Sequence, residues 1–233
     1  MFLYGDILKL DARFGIADAA NYGTAIHEAC RFMVEKGQEQ NFYPQKEDFI
    51  NTFKKELHKL SFATPEIRKI YEGRGENELN TCYHHLTDVK LDKVFAVEFK
   101  IEQDDFIGYI DRIEKNEDGT YTIIDYKTSD PKKSIKEICP GGEHEDYYNQ
   151  ICLYKYYFEK QENKKVSKME FFFPLGGVTH ELKLTQDLYD AAINKYFQMK
   201  QSIADCEFEP CGDEHAYACK YCGYKDFCNL NRV

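Results

Sequence analysis

Apolar residues recur at three- and four-residue spacing in "ANYGTAIHEACRFMVEKG", at Ile26, Ala29, Cys30 and Met33. That period predicts a helix, with Gly37 as its stop. Two further helical stretches come next, at about Gln45 to Leu60 and Pro65 to Leu86. The pattern then switches to alternation in "KVFAVEFKIE", which predicts a strand, and "GYIDRIEKNEDGTYTIIDYKTS" predicts a hairpin. "EDYYNQICLYKYYFEKQE" reads as a helix, "KMEFFFPL" and "VTHELKLT" as two strands meeting at Gly176 and Gly177, and "QDLYDAAINKYFQMKQSIAD" as a last helix. This order of elements predicts an α/β domain, a mixed sheet covered by helices. No repeat and no low-complexity linker interrupts it, so the expectation is a single domain over residues 1–233.

The hairpin carries unusual charge for its size, and its register decides whether that charge converges. A two-residue Asp118-Gly119 turn would set Asp125 opposite Arg112 and send Asp111 to the other face. A three-residue loop, Glu117-Asp118-Gly119, with Gly119 in the left-handed position, would set Asp111 opposite Asp125. The second register is favoured, because glycine adopts positive φ without steric cost. Lys127, two residues beyond Asp125, then shares its face. Two carboxylates at that range repel, and one pKa rises unless a cation lies between them. Such oxygen ligands suit Mg²⁺ or Mn²⁺. A metal held there can activate water and stabilise charge on a phosphoryl oxygen. The same residues are also consistent with a solvated strand end and an incidental lysine.

Three further features bear on this choice. Glu98 lies on the strand before the hairpin, His27 on the first long helix, and Gln150 and Tyr154, four apart in "QICLY", share one helix face. Each alone has an ordinary structural reading: strand-face charge, a surface or satisfied core histidine, and an aromatic helix core.

Composition narrows the class without naming it. Of 233 residues, 42% are apolar and 31% charged, a globular balance. No run approaches the roughly 20 apolar residues of a membrane helix, and the opening "MFLYGDILKLDARFG" lacks the basic start of a signal peptide. The expectation is a cytoplasmic protein with no membrane partner. With 31 basic and 41 acidic residues the net charge is -10. That argues against a broad basic surface coating nucleic acid, but it leaves room for a local basic groove beside an acidic metal site. Of nine cysteines, Cys206, Cys211, Cys219, Cys222 and Cys228 crowd the last 28 residues. In a reducing compartment this suggests a metal site before disulfides.

Taken in order, "GTAIHEA", "VEF", "GYIDRI", "IIDYKTS", "QICLYKYY" and "CKYCGYKDFC" resemble the RecB-like branch of the PD-(D/E)xK nuclease superfamily, from about Gly23 to Cys228. No one motif is specific; their order and spacing are. The resemblance implies a restriction-endonuclease-like core, a mixed β-sheet flanked by helices, with a Cys-rich C-terminal tail. It implies that Asp111 and Asp125 are catalytic metal ligands, that Lys127 orients water or stabilises the transition state, and that His27 is a further metal ligand. The Tyr126 carbonyl would also reach the metal, Gln150 and Tyr154 would contact DNA and support the site, and Glu98 would act in support of catalysis. Many relatives carry an iron–sulfur cluster on cysteines spaced like Cys219, Cys222 and Cys228, with a fourth upstream of the helix histidine. Here no cysteine precedes His27. The fourth ligand of a [4Fe-4S] cluster would then be Cys211, Cys206 or a residue outside this chain. Zn²⁺ on Cys211, Cys219, Cys222 and Cys228 is the alternative, and reduced, empty cysteines the third.

The function implied is a metal-dependent DNA nuclease, an exonuclease of repair or recombination that acts on single-stranded DNA or DNA ends. The chain could be a fragment of a longer helicase–nuclease, with a helicase domain or subunit as partner. The rival readings are a non-catalytic DNA-binding or scaffold module that keeps the nuclease fold, a zinc-organised interaction module, and a stand-alone nuclease of CRISPR adaptation or phage recombination.

Overall fold

The computed structural model describes residues 18–103 and 106–207. Three helices come first: α1 (Asp18–Gln40), α2 (Lys46–Lys59) and α3 (Pro65–Thr87). After one 3-10 turn come β1 (Val94–Gln103), β2 (Phe106–Lys115), β3 (Tyr121–Tyr126), a one-turn α4 (Pro131–Ser134), α5 (Glu145–Glu162), β4 (Val166–Phe173), β5 (Val178–Glu181) and α6 (Gln186–Ala204). The five strands form one sheet in sequence order, antiparallel except where β3 runs parallel to β4. A parallel pair needs a crossover, and α5 supplies it. Residues Asp18–Ile193 form one compact unit; the described part of a second unit is 194–207, the last turns of α6 and the short segment after them.

The main core lies between α1, α2, α3 and the sheet. Tyr22, Ile26, Cys30 and Met33 of α1 meet Phe49, Phe53 and Leu57 of α2 and Leu79, Cys82 and Leu86 of α3. Ile124, Tyr126 and Phe172 supply the sheet's side of this layer. A second aromatic cluster joins α5 to the sheet: Phe158 packs edge-on against Phe95 and Phe99, and Tyr157 stacks on Phe106 at 4.3 Å.

Gly37 does not stop α1, which runs on to Gln40 and ends at Asn41 in the left-handed conformation (φ 63°). Gly37 is there for packing, because a Cβ would come 2.8 Å from the Leu91 side chain. The strand expected in "VTHELKLT" is short, Val178–Glu181. The "DPKKSIKE" segment after β3 opens with a helical turn, Pro131–Ser134. Asp130 caps it by accepting from the Lys132 amide at 2.9 Å, and Pro131 takes the first helical position, where its missing N–H costs nothing.

At mid-α3, Gly75 lets the Phe53 ring lie directly on the helix; a Cβ there would fall on that ring. Gly75→Ala adds helix propensity of about 0.5–1 kcal/mol but overpacks a filled core, at about 1–3 kcal/mol. The expected outcome is a net loss of stability of about 1–2 kcal/mol, read as a lower midpoint in urea unfolding; a rise in midpoint would refute this account of the contact.

Candidate active site

The hairpin adopts the three-residue loop. Gly119 has φ 83°, Asn116 N donates to Thr120 O at 2.8 Å, and the Asp118 carboxylate accepts from the Thr120 amide at 2.9 Å. Arg112 stands opposite Ile124 and Ile113 opposite Ile123. One step further in the same register, Asp111 is level with Asp125. On the other side of β2, Val97 pairs with Arg112 and Phe99 with Ile110, so Glu98 is level with Asp111. Three carboxylates therefore form a row across three adjacent strands. Arg112 turns away from that row and lies 5.6 Å over the Tyr126 ring in the α1 layer, ion-paired to Glu114.

Helix α1 brings His27 to the row. Its apolar stripe docks on the sheet, and His27, next to the buried Ile26, sits at the margin of that stripe. His27 Nδ1 lies 2.9 Å from Asp111 Oδ1, while the Tyr126 amide donates to Asp111 Oδ2 at 2.5 Å. Both oxygens of Asp111 are thus fixed. Ligand atoms of His27, Glu98 and Asp111 all lie within 4.8 Å of one another. Glu98 has φ 46°, a left-handed conformation in the middle of a strand. A non-glycine residue held there costs on the order of 1–3 kcal/mol, and such strain gathers at functional sites.

The electrostatics match a site short of positive charge. Burial raises the Glu98 pKa, and the neighbouring Asp111 charge raises it further. Burial works to lower that of His27, but Asp111, with help from Asp125 and Glu98, carries it above its ordinary value. Asp125 is pushed up to about 6: burial dominates, the Lys127 cation opposes it, and Asp111 adds to it. One imidazole and two carboxylates converging in this way fit a divalent cation that takes oxygen and nitrogen ligands. His27, Glu98 and Asp111 would hold it.

Asp125 faces a different partner. Its Oδ2 is 2.8 Å from Lys127 Nζ, which also donates to Gln150 Oε1 at 2.8 Å and lies 4.0 Å over the Tyr147 ring. Gln150 Nε2 donates in turn to the Tyr154 hydroxyl at 3.0 Å. An ammonium has three donors, and Lys127 has three neighbours around it. The structure thus brings His27, Glu98 and Asp111 together, and sets Asp125, Lys127, Gln150 and Tyr154 in a chain beside them. Tyr126 enters through its amide, and its ring sits in the α1 core. Cys211, Cys219, Cys222 and Cys228 lie outside the described residues; Cys206 is exposed with φ 58°. Sequence reading missed Tyr147, since nothing local distinguishes one more tyrosine of an aromatic helix.

A five-stranded mixed sheet flanked by helices, with acids and a lysine converging on its central hairpin, is the restriction-endonuclease-like arrangement built around a divalent-metal site. The chain belongs to the PD-(D/E)XK nuclease superfamily, whose family model matches residues 1–229. Among curated proteins none matches it.

Since the native state holds the ligands together and an unfolded chain does not, Mn²⁺ should stabilise the fold. At a hundredfold excess over its dissociation constant the gain is about 2.7 kcal/mol, read as a rise in Tm. Asp111→Asn should abolish that rise. Because His27 and Glu98 have raised pKa values, protons compete with the metal to a higher pH than usual. The rise should therefore be larger at pH 8 than at pH 6; an equal rise at both, or one that survives Asp111→Asn, would place the ion elsewhere.

Proposed function

We propose that this chain is a metal-dependent DNA exonuclease of the RecB-like kind. It would act on single-stranded DNA or DNA ends in repair or recombination, as a nuclease domain working with a helicase domain or subunit. The observation that carries this reading is the meeting of His27, Glu98 and Asp111 within 4.8 Å, beside the Asp125–Lys127 pair. Hydrolysis adds water across a P–O bond and leaves a phosphate monoester and an alcohol. Bound Mg²⁺ or Mn²⁺ supplies charge neutralisation at the phosphoryl oxygen and a lower pKa for water.

The protein's own groups do the rest. Tyr126 N–H and His27 lock the two Asp111 oxygens in place. Lys127 presents its positive group at the row of acids, where it can hold the attacking water or neutralise charge that grows on the phosphate. Gln150, itself held by Tyr154, and Asp125 keep that amine from wandering. A partner domain would add the grip on DNA that a net charge of -10 does not provide. The enzyme would work in the cytoplasm; no helix among the described residues is long and apolar enough to cross a membrane. The four cysteines Cys211, Cys219, Cys222 and Cys228 would carry a [4Fe-4S] cluster, with zinc as the alternative. Brown, anaerobically purified protein marks iron, and colourless metal-bearing protein marks zinc.

The test is digestion of 5′- and 3′-labelled linear single-stranded DNA beside a circular control, with Mn²⁺, Mg²⁺ or EDTA. Expected is cleavage of the linear strand only, lost in EDTA and reduced by about 10²–10³-fold or more in Asp125→Ala and Lys127→Ala. Cutting of the circle would make it an endonuclease. Folded protein that cuts nothing would favour the non-catalytic DNA-binding module.

A further inference from the structure

The metal-ligand cluster opens into a cleft of about 360 Å³, walled on the α1 side by Ala20, Gly23, Thr24 and His27 and on the sheet side by Glu98. Ala20 and Gly23 also wall a second, larger cleft of about 630 Å³. The two therefore adjoin across Ala20 and Gly23, the second of which has no side chain. The far wall of the second cleft continues from the chemistry: Thr128 comes directly after Lys127 in the chain, and Tyr147 lies under the Lys127 amine. A volume of this size is that of a small-ligand site.

Among the described residues one cation lines the second cleft. Arg74, from α3, is held three ways: its Nε donates to Glu78 at 2.6 Å, its Nη2 donates to the Thr128 carbonyl at 2.8 Å, and its guanidinium lies 4.9 Å over the Tyr22 ring. Glu78 is buried and also accepts from the Tyr22 hydroxyl at 2.6 Å. Among the described residues Nη1 makes no hydrogen bond, and the side chain is still 39% exposed. A guanidinium fixed on its other edge loses little freedom on meeting an anion. The one acidic side chain that the described residues put on this wall, Asp130, is already bonded to the Lys132 amide.

We infer that the second cleft seats the nucleotide next to the scissile phosphodiester, with the Arg74 guanidinium on its phosphate. The inference rests on the nuclease reading and adds a binding residue that the superfamily match does not assign. Its ligand is a phosphate carried by a sugar and base, so it matters for a polynucleotide and not for a phosphodiester that lacks a neighbouring nucleotide.

That difference gives the test. Arg74→Gln alone would strand the buried Glu78, so the variant is the pair Arg74→Gln with Glu78→Gln, and urea unfolding checks that it folds. KM for a short single-stranded oligonucleotide should rise about tenfold, the effect of one hydrogen bond to a charged group. Turnover of bis(p-nitrophenyl) phosphate in Mn²⁺ should be unchanged. The slope of log affinity against log salt for oligonucleotide binding should fall by about 0.7, one phosphate's share. Arg74→Lys should recover part of the affinity. Equal losses on both substrates would make Arg74 a structural clamp, and an unchanged KM and salt slope would empty the cleft of its role; either result overturns the inference. If wild type turns over neither substrate, the nuclease reading falls, and the salt slope of binding still decides the cleft.

Discussion

Like charges forced together at the edge of a low-dielectric core shape this molecule. Glu98, Asp111 and Asp125 stand level on three neighbouring strands, and Asp111 and Asp125 are buried. A buried carboxylate favours its neutral form, and a second carboxylate nearby strengthens that preference. The raised pKa values of Glu98 and Asp125 express both effects. Left to itself the row would come apart. It persists because two of the three acids are tied from outside the row: Asp111 by the Tyr126 amide and His27, Asp125 by Lys127. These ties leave a deficit of positive charge between His27, Glu98 and Asp111, and that deficit is the reason a divalent cation suits the place.

The cost of this arrangement is borne by the layers on either side. Glu98 keeps a left-handed backbone inside β1, and such a conformation lasts only where surrounding structure over-determines it. Here the strand is held by continuous pairing with β2 on both sides of Glu98. Phe95 and Phe99, flanking Glu98 on the same strand, pack against Phe158 of α5. On the other layer, the α1–α3 core fixes Tyr126, whose amide holds Asp111 and whose ring meets His27 edge-on at 5.7 Å. The aromatic content of the chain, 15%, thus serves the site from both faces.

Local chemistry was legible in the sequence where a single residue decides it. Gly119 set the hairpin register, since the three-residue loop needs positive φ at that place, and the register in turn set Asp111 level with Asp125. Strand and helix periods gave the α/β order for the same reason: the sheet and the helices each bury one face. Gly37 misled, because a glycine needed for close contact with Leu91 looks in sequence like one that ends a helix. The meeting of His27 with Asp111, 84 residues apart, depends on how α1 docks on the sheet. No period or spacing encodes that; only the order of family motifs pointed to it. Glu98 read as ordinary strand charge because its distinguishing feature is a backbone angle.

Arg74 shows what kind of residue stays hidden. It belongs to a polar stretch of α3 and pairs with Glu78 four residues on, which in sequence is a common helix-surface pair. The structure changes its meaning, because Glu78 is buried under Tyr22 and the guanidinium Nη2 reaches the carbonyl just past Lys127. A surface pair of this type adds a few tenths of a kcal/mol to a helix. A pair with one partner buried does something else: it fixes a cation at a chosen spot and joins α3 to the segment just after β3. The acidic row needs positive charge close by, yet a free lysine or arginine would collapse onto the carboxylates. Lys127 is kept from doing so in part by Gln150, which shares its amine with Asp125. The acids therefore stay open to a cation, and positive charge remains available beside them.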